Sequence, residues 1–142
     1  MKTVKMMLDS KQAGIFAIAP DASVFEAIKL MAEKGVGALL VLHQEQLAGI
    51  VSERDYARKV ILHGRSSHET RVSDIMSAKV VTVASKQTVD DCMALMTARR
   101  IRHLPVVDDG RLVGVLSIGD LVKELIADRE ETIKQLESYI RS

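Results

Sequence analysis

An α+β fold made of two β-α-β-β-α units packed about a pseudo-two-fold axis is what this sequence predicts, on three observations. The stretch "GIVSERD", residues 49–55, returns as "GVLSIGD", residues 114–120, with glycine, serine and aspartate each displaced by 65 residues. The same offset, without a gap, pairs Val24 with Val89, Leu30 with Leu95, Met31 with Met96, Leu39 with Leu104, Val41 with Val106 and Ile61 with Ile126. An internal repeat decides the architecture before any single element does. Finally, a unit of about sixty residues buries little core alone, so the two copies should pack together.

Each element of the unit can be justified in order. "GIFAIA" and "KVVTVA" are short apolar runs that open the two copies as strands. Ser23 with Glu26, and Thr88 with Asp91, have the N-cap and N3 spacing of a capping box. Behind them Val24, Ala27, Ile28 and Met31 recur at helical spacing, as do Val89, Cys92, Met93 and Met96. The methionines read as adaptable core filler. "ALLVL" and "LPVV" are continuous apolar runs that fit buried strands. "HQEQ" and "DDGR" are polar turns, the second with the Asp109-Gly110 hairpin signal. "LAGIVS" and "LVGVLS" return, and a second helix starts at their ends. The helix-linked strands should be parallel, the hairpin antiparallel, and helices should cover one face of a three-stranded sheet.

This places the first unit at residues 3–63 and the second at 64–127, joined by the polar "HGRSSHET". Residues 128–142 read as a helical extension. There Ile126, Ile133, Leu136 and Ile140 form an apolar stripe, with Arg129, Glu130, Glu137 and Arg141 off it. Such a stripe predicts a homodimer in which residues 126–140 pack on the partner or clamp its edge.

Composition narrows the function classes. With 20 basic and 19 acidic side chains, the chain lacks the positive footprint of a nucleic-acid binder. No apolar run is long enough for a membrane span, and "MKTVKMMLDSK" lacks a signal-peptide core. The single cysteine, Cys92, has no internal partner and suits a reducing cytoplasm; on its apolar helix face it reads as an inert core thiol. Aromatics are 3% of the chain, so the core must be aliphatic.

The doubled Gly-x-x-Ser-x-x-Asp admits two readings. In one, Ser52/Asp55 and Ser117/Asp120 are helix caps and nothing more. In the other, the strand glycine marks a close approach by another group, and the amides of the helix start receive an anion. An ionised aspartate repels phosphate but suits a ribose diol. Arg54, Arg102 and His103 stand ready for the phosphate, and apolar edges for a flat base. Together these describe a nucleoside phosphate.

With "IRHLPVVDDGRLVGVLS" before the second motif and "VGALLV" before the first, the chain resembles the tandem CBS domain, or Bateman module, over about residues 3–127. It looks like the small stand-alone CBS pairs of bacteria rather than a module cut from an enzyme. That resemblance implies a regulatory module without catalysis, binding AMP, ADP, ATP, NAD(H) or S-adenosylmethionine in two clefts between the repeats and acting on a regulated protein that the sequence does not name. Carried over by position, one cleft is Phe16, Ala17, Val36, Gly37, Ala38, Ser117, Ile118, Gly119 and Asp120. The other is Val81, Thr82, Arg102, His103, Leu104, Ser52, Glu53, Arg54 and Asp55. Basic residues are common in the family where Arg102 and His103 stand; the first repeat has Gly37 and Ala38 there, which makes the clefts unequal.

Rival readings are an enzyme, a pure dimerisation module and a nucleic-acid binder. Neither serine has a histidine and carboxylate at triad spacing. "KGVGALL" lacks the third glycine and the lysine of a phosphate loop. His63 and His68 sit in the linker without further metal ligands. The dimerisation module, with the Ser-x-x-Asp boxes as caps alone, is the alternative that stays open.

Overall fold

The computed structural model describes residues 2–10 and 15–141; Gly14, which opens the expected first strand, and Ser142, which ends the extension, lie outside them. The described elements run α1 (Val4–Ser10), β1 (Ala17–Ile18), α2 (Val24–Lys34), β2 (Ala38–His43), β3 (Gln46–Ser52), α3 (Glu53–Tyr56), α4 (Val72–Ile75), α5 (Val89–Arg99), β4 (His103–Asp108), β5 (Arg111–Ser117) and α6 (Ile118–Arg141). A π-turn over Ala57–Ile61 prolongs α3.

The caps form where the spacing places them. Ser23 Oγ accepts from the Glu26 N–H at 3.1 Å, and Thr88 with Asp91 closes a full capping box on α5. Both hairpins turn on two residues at positive φ, Gln44 and Glu45 in one and Asp109 and Gly110 in the other. These are the mirror-image turns whose twist matches antiparallel strands. β1 pairs with β2 in parallel and β2 with β3 antiparallel, as expected.

The second repeat departs from the first at one edge. Its opening strand is reduced to a single parallel bridge between Val83 and Val106. In the first repeat the Leu40 N–H donates to the Phe16 carbonyl at 3.1 Å. The residue 65 positions after Leu40 is Pro105, which has no N–H, so that rung cannot form.

The core is aliphatic and split in two, and each half includes a short helix that precedes or follows the other stretches of that half across the repeat boundary. Val4 and Met7 of α1 are buried with Val83, Val89, Cys92, Leu104, Leu116 and Leu121 of the second repeat. Val72 and Ile75 of α4 are buried with Val24, Met31, Leu39, Val51 and Val60 of the first. Backbone bonds fix both exchanges. Val4 N–H donates to Gln87 O at 2.8 Å, and Val72 N–H to Ala22 O at 2.9 Å. β3 and β5 meet between the repeats.

The linker is not merely solvated. His68 stacks on Phe25 with ring centroids 4.2 Å apart, and buried Thr70 donates its hydroxyl to Ser66 O at 2.6 Å. Cys92 is fully buried; desolvation, assisted by the negative charge of Asp91, pushes its thiol up to about 11. Helix α6 continues unbroken through the extension, and Ile126, Ile133, Leu136 and Ile140 are all more than half exposed. The stripe is therefore not covered by its own module.

Candidate functional site

Each Ser-x-x-Asp box sits where a strand ends and a helix begins. Asp55 Oδ2 accepts from the Ser52 N–H at 2.9 Å, and Ser52 Oγ accepts from the Asp55 N–H at 3.2 Å. Ser117 and Asp120 repeat this at 2.8 and 3.2 Å. The capping chemistry is thus present in full. It holds one oxygen of each aspartate; the other oxygen of Asp55 lies 3.5 Å from Lys59 Nζ, which also donates to the Ile75 carbonyl at 2.9 Å.

The amide supply at these helix starts is smaller than the sequence suggests. Glu53 N–H donates to Gly37 O at 3.0 Å, and Ile118 N–H to Arg102 O at 2.8 Å. With the third amide of each turn held by serine, Arg54 and Gly119 supply, among the described residues, the first-turn N–H groups outside those bonds.

The strand glycines answer to the fold rather than to a ligand. A Cβ on Gly49 would lie 2.7 Å from the Ser77 carbonyl oxygen and 2.8 Å from Met76 Sδ. On Gly114 it would lie 2.6 Å from Leu8 Cδ2. The close approach that glycine signals is real, but it is made by the exchanged segments behind α4 and in α1. Neither glycine lines a cleft.

Two clefts open between the repeats, and each is walled by both. A cleft of about 350 Å³ gathers Ser52, Glu53, Arg54 and Asp55 from the first repeat with Val81, Arg102 and His103 from the second. A second, of about 280 Å³, gathers Phe16, Val36, Gly37 and Ala38 with Ser117 and Asp120. Gly37, Ile50 and His103 line both, so the clefts share a wall.

Five expected residues fall outside these linings. Leu104 is fully buried in the core, and Ala17 is paired with Leu40 in the sheet. Thr82, Ile118 and Gly119 are exposed beside the clefts. Conversely, the larger cleft takes in Arg58, Lys79 and Arg100, which the sequence reading left out. Arg58 was findable, since it stands one helical turn beyond Arg54. Arg100 sits one residue beyond the end of α5, at the position that Gly35 holds after α2.

Both clefts are open, with small apolar surface on one side and a Ser-x-x-Asp box on the other. No cluster of three metal-ligating side chains occurs among the described residues. No helix of the described residues is long and apolar enough to cross a membrane.

Comparison with known proteins bears on the fold and the family. The family model described as CBS domain matches residues 12–62 and 72–127. The chain is 44% identical over 126 residues to the mitochondrial CBS domain-containing protein CBSX3 of Arabidopsis thaliana, covering 85% of this chain but only 61% of that protein. It is 35% identical over 121 residues to the CBS domain-containing protein YhcV of Bacillus subtilis, covering 85% and 84% of the two chains. A solved structure of a protein with CBS domains from Burkholderia ambifaria superposes with a TM-score of 0.87 at 56% identity, over 89% of this chain and 96% of that one.

Proposed function

This chain belongs to the CBS-domain family, with two such domains in tandem, and from that premise we propose that it is a non-catalytic regulatory module that binds an adenosine ligand in the clefts between its repeats. AMP, ADP, ATP and NAD(H) are the ligands that fit, with S-adenosylmethionine as a further candidate. The observation that carries this reading is the construction of each cleft from both repeats. A Ser-x-x-Asp box from one repeat faces the small apolar edge of the other. The aspartate that closes each box is an acceptor in the cleft lining, suited to a ribose hydroxyl. Half-buried Phe16 and Val36 in one cleft, and Val81 and Ile101 in the other, offer flat apolar contact to a base. Ligand entering such a cleft touches both repeats at once, which is how binding would alter their relative position and be read by a regulated protein.

A second reading has its own support. The capping boxes are complete without any ligand, and α6 leaves an uncovered apolar stripe. On that reading the module serves homodimerisation alone. Isothermal titration and thermal shift with AMP, ADP, ATP, NAD(H) and S-adenosylmethionine decide between them. A ligand specific for the folded state must raise Tm by mass action. Absence of heat and of protection with all five would leave the dimerisation module standing.

A further inference from the structure

The two clefts are related by the 65-residue offset, yet their charges are not. Arg54, Arg58, Lys79, Arg100 and Arg102 line the cleft at Ser52. Their counterparts in the sequence are Gly119, Lys123, Gly14, Gly35 and Gly37. Glycine thus stands opposite all but one of these cations, and Gly35 and Gly37 line the Ser117 cleft as bare backbone.

All five cations are exposed, and none has an ion-pair partner among the described residues. The two carboxylates of that lining are Glu53 and Asp55, and Asp55 already faces Lys59. The Ser52 cleft therefore sets five cations against two carboxylates, an excess of positive charge that raises the local concentration of anions. The Ser117 cleft has Asp120 and shares His103.

An independent sign comes from the backbone. Arg100 ends α5 in the left-handed conformation, φ 54° and ψ 45°. Gly35 ends α2 the same way, at φ 66° and ψ 35°. Glycine is the residue this C-terminal geometry selects, and a long side chain there is held in a sparsely populated region. Of the described non-glycine residues at positive φ, Gln44, Glu45 and Asp109 sit in hairpin turns and Arg100 alone lines a cleft, so its strain points to a task for the side chain. The task on offer is at the rim of the cleft that Arg100 lines.

We propose that the Ser52 cleft is a polyphosphate site, taking a ligand whose adenosine end is followed by two or three phosphoryl groups, while the Ser117 cleft takes one with a single phosphate or none. This rests on the adenosine-ligand reading above and adds which cleft receives the chain of phosphates. A phosphomonoester carries about −1.5 to −2 charge at neutral pH, so a single phosphate leaves much of this cation cluster unmatched. Arginine adds a planar fork that grips phosphate oxygens in pairs.

The test is titration of the full chain with adenosine, AMP, ADP, ATP and inorganic tripolyphosphate, for wild type, Arg100→Gly and Arg102→Gly. ATP and ADP should bind one site about tenfold or more tighter than AMP does, and the excess should shrink with added salt. Arg100→Gly should weaken ATP about fivefold or more and leave AMP within about twofold, with Tm at or above wild type because glycine relieves the left-handed backbone. Arg102→Gly should weaken ATP likewise without touching that strain. Equal affinities for AMP and ATP in wild type, or unchanged ATP binding in both variants, would overturn the proposal. If tripolyphosphate binds and is lost in Arg100→Gly while no nucleoside compound binds, the polyphosphate site stands and the adenosine reading falls. Silence from every probe overturns both.

Discussion

The Asp120 carboxylate accepts a 2.8 Å hydrogen bond from the backbone N–H of Ser117, the residue whose hydroxyl in turn caps Asp120's own N–H. If the cleft binds as proposed, folding and binding draw on the same side chain. Asp120→Ala should lower unfolding free energy by about 1 kcal/mol through the lost cap. It should weaken the adenosine ligand by about 1.5–3 kcal/mol through the lost charged contact to the ribose. Urea denaturation and titration on the same variant measure the two losses. A stability loss with unchanged affinity would return Asp120 to the role of a cap.

The two strand glycines should differ in their tolerance of a methyl group. Gly49→Ala drives Cβ against the Ser77 carbonyl, which is backbone and cannot turn aside; about 1–3 kcal/mol of destabilisation is expected. Gly114→Ala meets the far end of the Leu8 side chain, which can change rotamer, so under about 1 kcal/mol is expected. Chemical denaturation of both variants checks the order.

Cys92 should be silent to iodoacetamide in the folded protein at pH 7–8 and react on unfolding. Its thiol is pushed up to about 11 by burial and by Asp91. Because the folded state holds this proton more tightly, stability should fall as pH rises from the thiol's ordinary value near 9.0 toward 11, where the unfolded chain has already released it. Cys92→Ala should flatten that part of the pH profile, measured by thermal denaturation.

The α6 stripe predicts self-association. Full-length chain should sediment as a dimer at micromolar concentration, and Leu136→Glu or truncation after Asp128 should shift it toward monomer. A monomeric full chain would show that the exposed Ile126, Ile133, Leu136 and Ile140 serve some other partner.

Much of this was legible from a single fact, the gapless offset. It located both capping boxes, both hairpins, the aliphatic core and the Ser-x-x-Asp pair. The exchange of α1 and α4 was not legible, because these short helices are related by 68 residues rather than 65; Leu8 and Met76 then occupy equivalent places over Gly114 and Gly49. A local pattern also says nothing about which distant core a four- or seven-residue helix will join. The weakened opening strand of the second repeat was readable in principle, since Pro105 stands where Leu40 donates its N–H. The cations of the larger cleft were missed for a different reason. Lys79 lies in a segment with no periodicity and Arg100 at a helix end, and only the tertiary fold brings them into one cleft with Arg54.

The exchange also separates the order of synthesis from the order of folding. Val4 and Met7 leave the ribosome ahead of both repeats, but the surface they cover includes Val83, Leu104 and Leu116, made some eighty to more than a hundred residues later. Until then α1, seven residues long, is too short to hold as an isolated helix. The first repeat likewise lacks Val72 and Ile75 until the linker has emerged. A nascent chain paused after Ile61 should therefore remain sensitive to protease, with protection arriving late and nearly at once. The entropy of closing so long a loop is met only when both halves are present. Neither repeat is a folding unit that can be handed down the tunnel by itself.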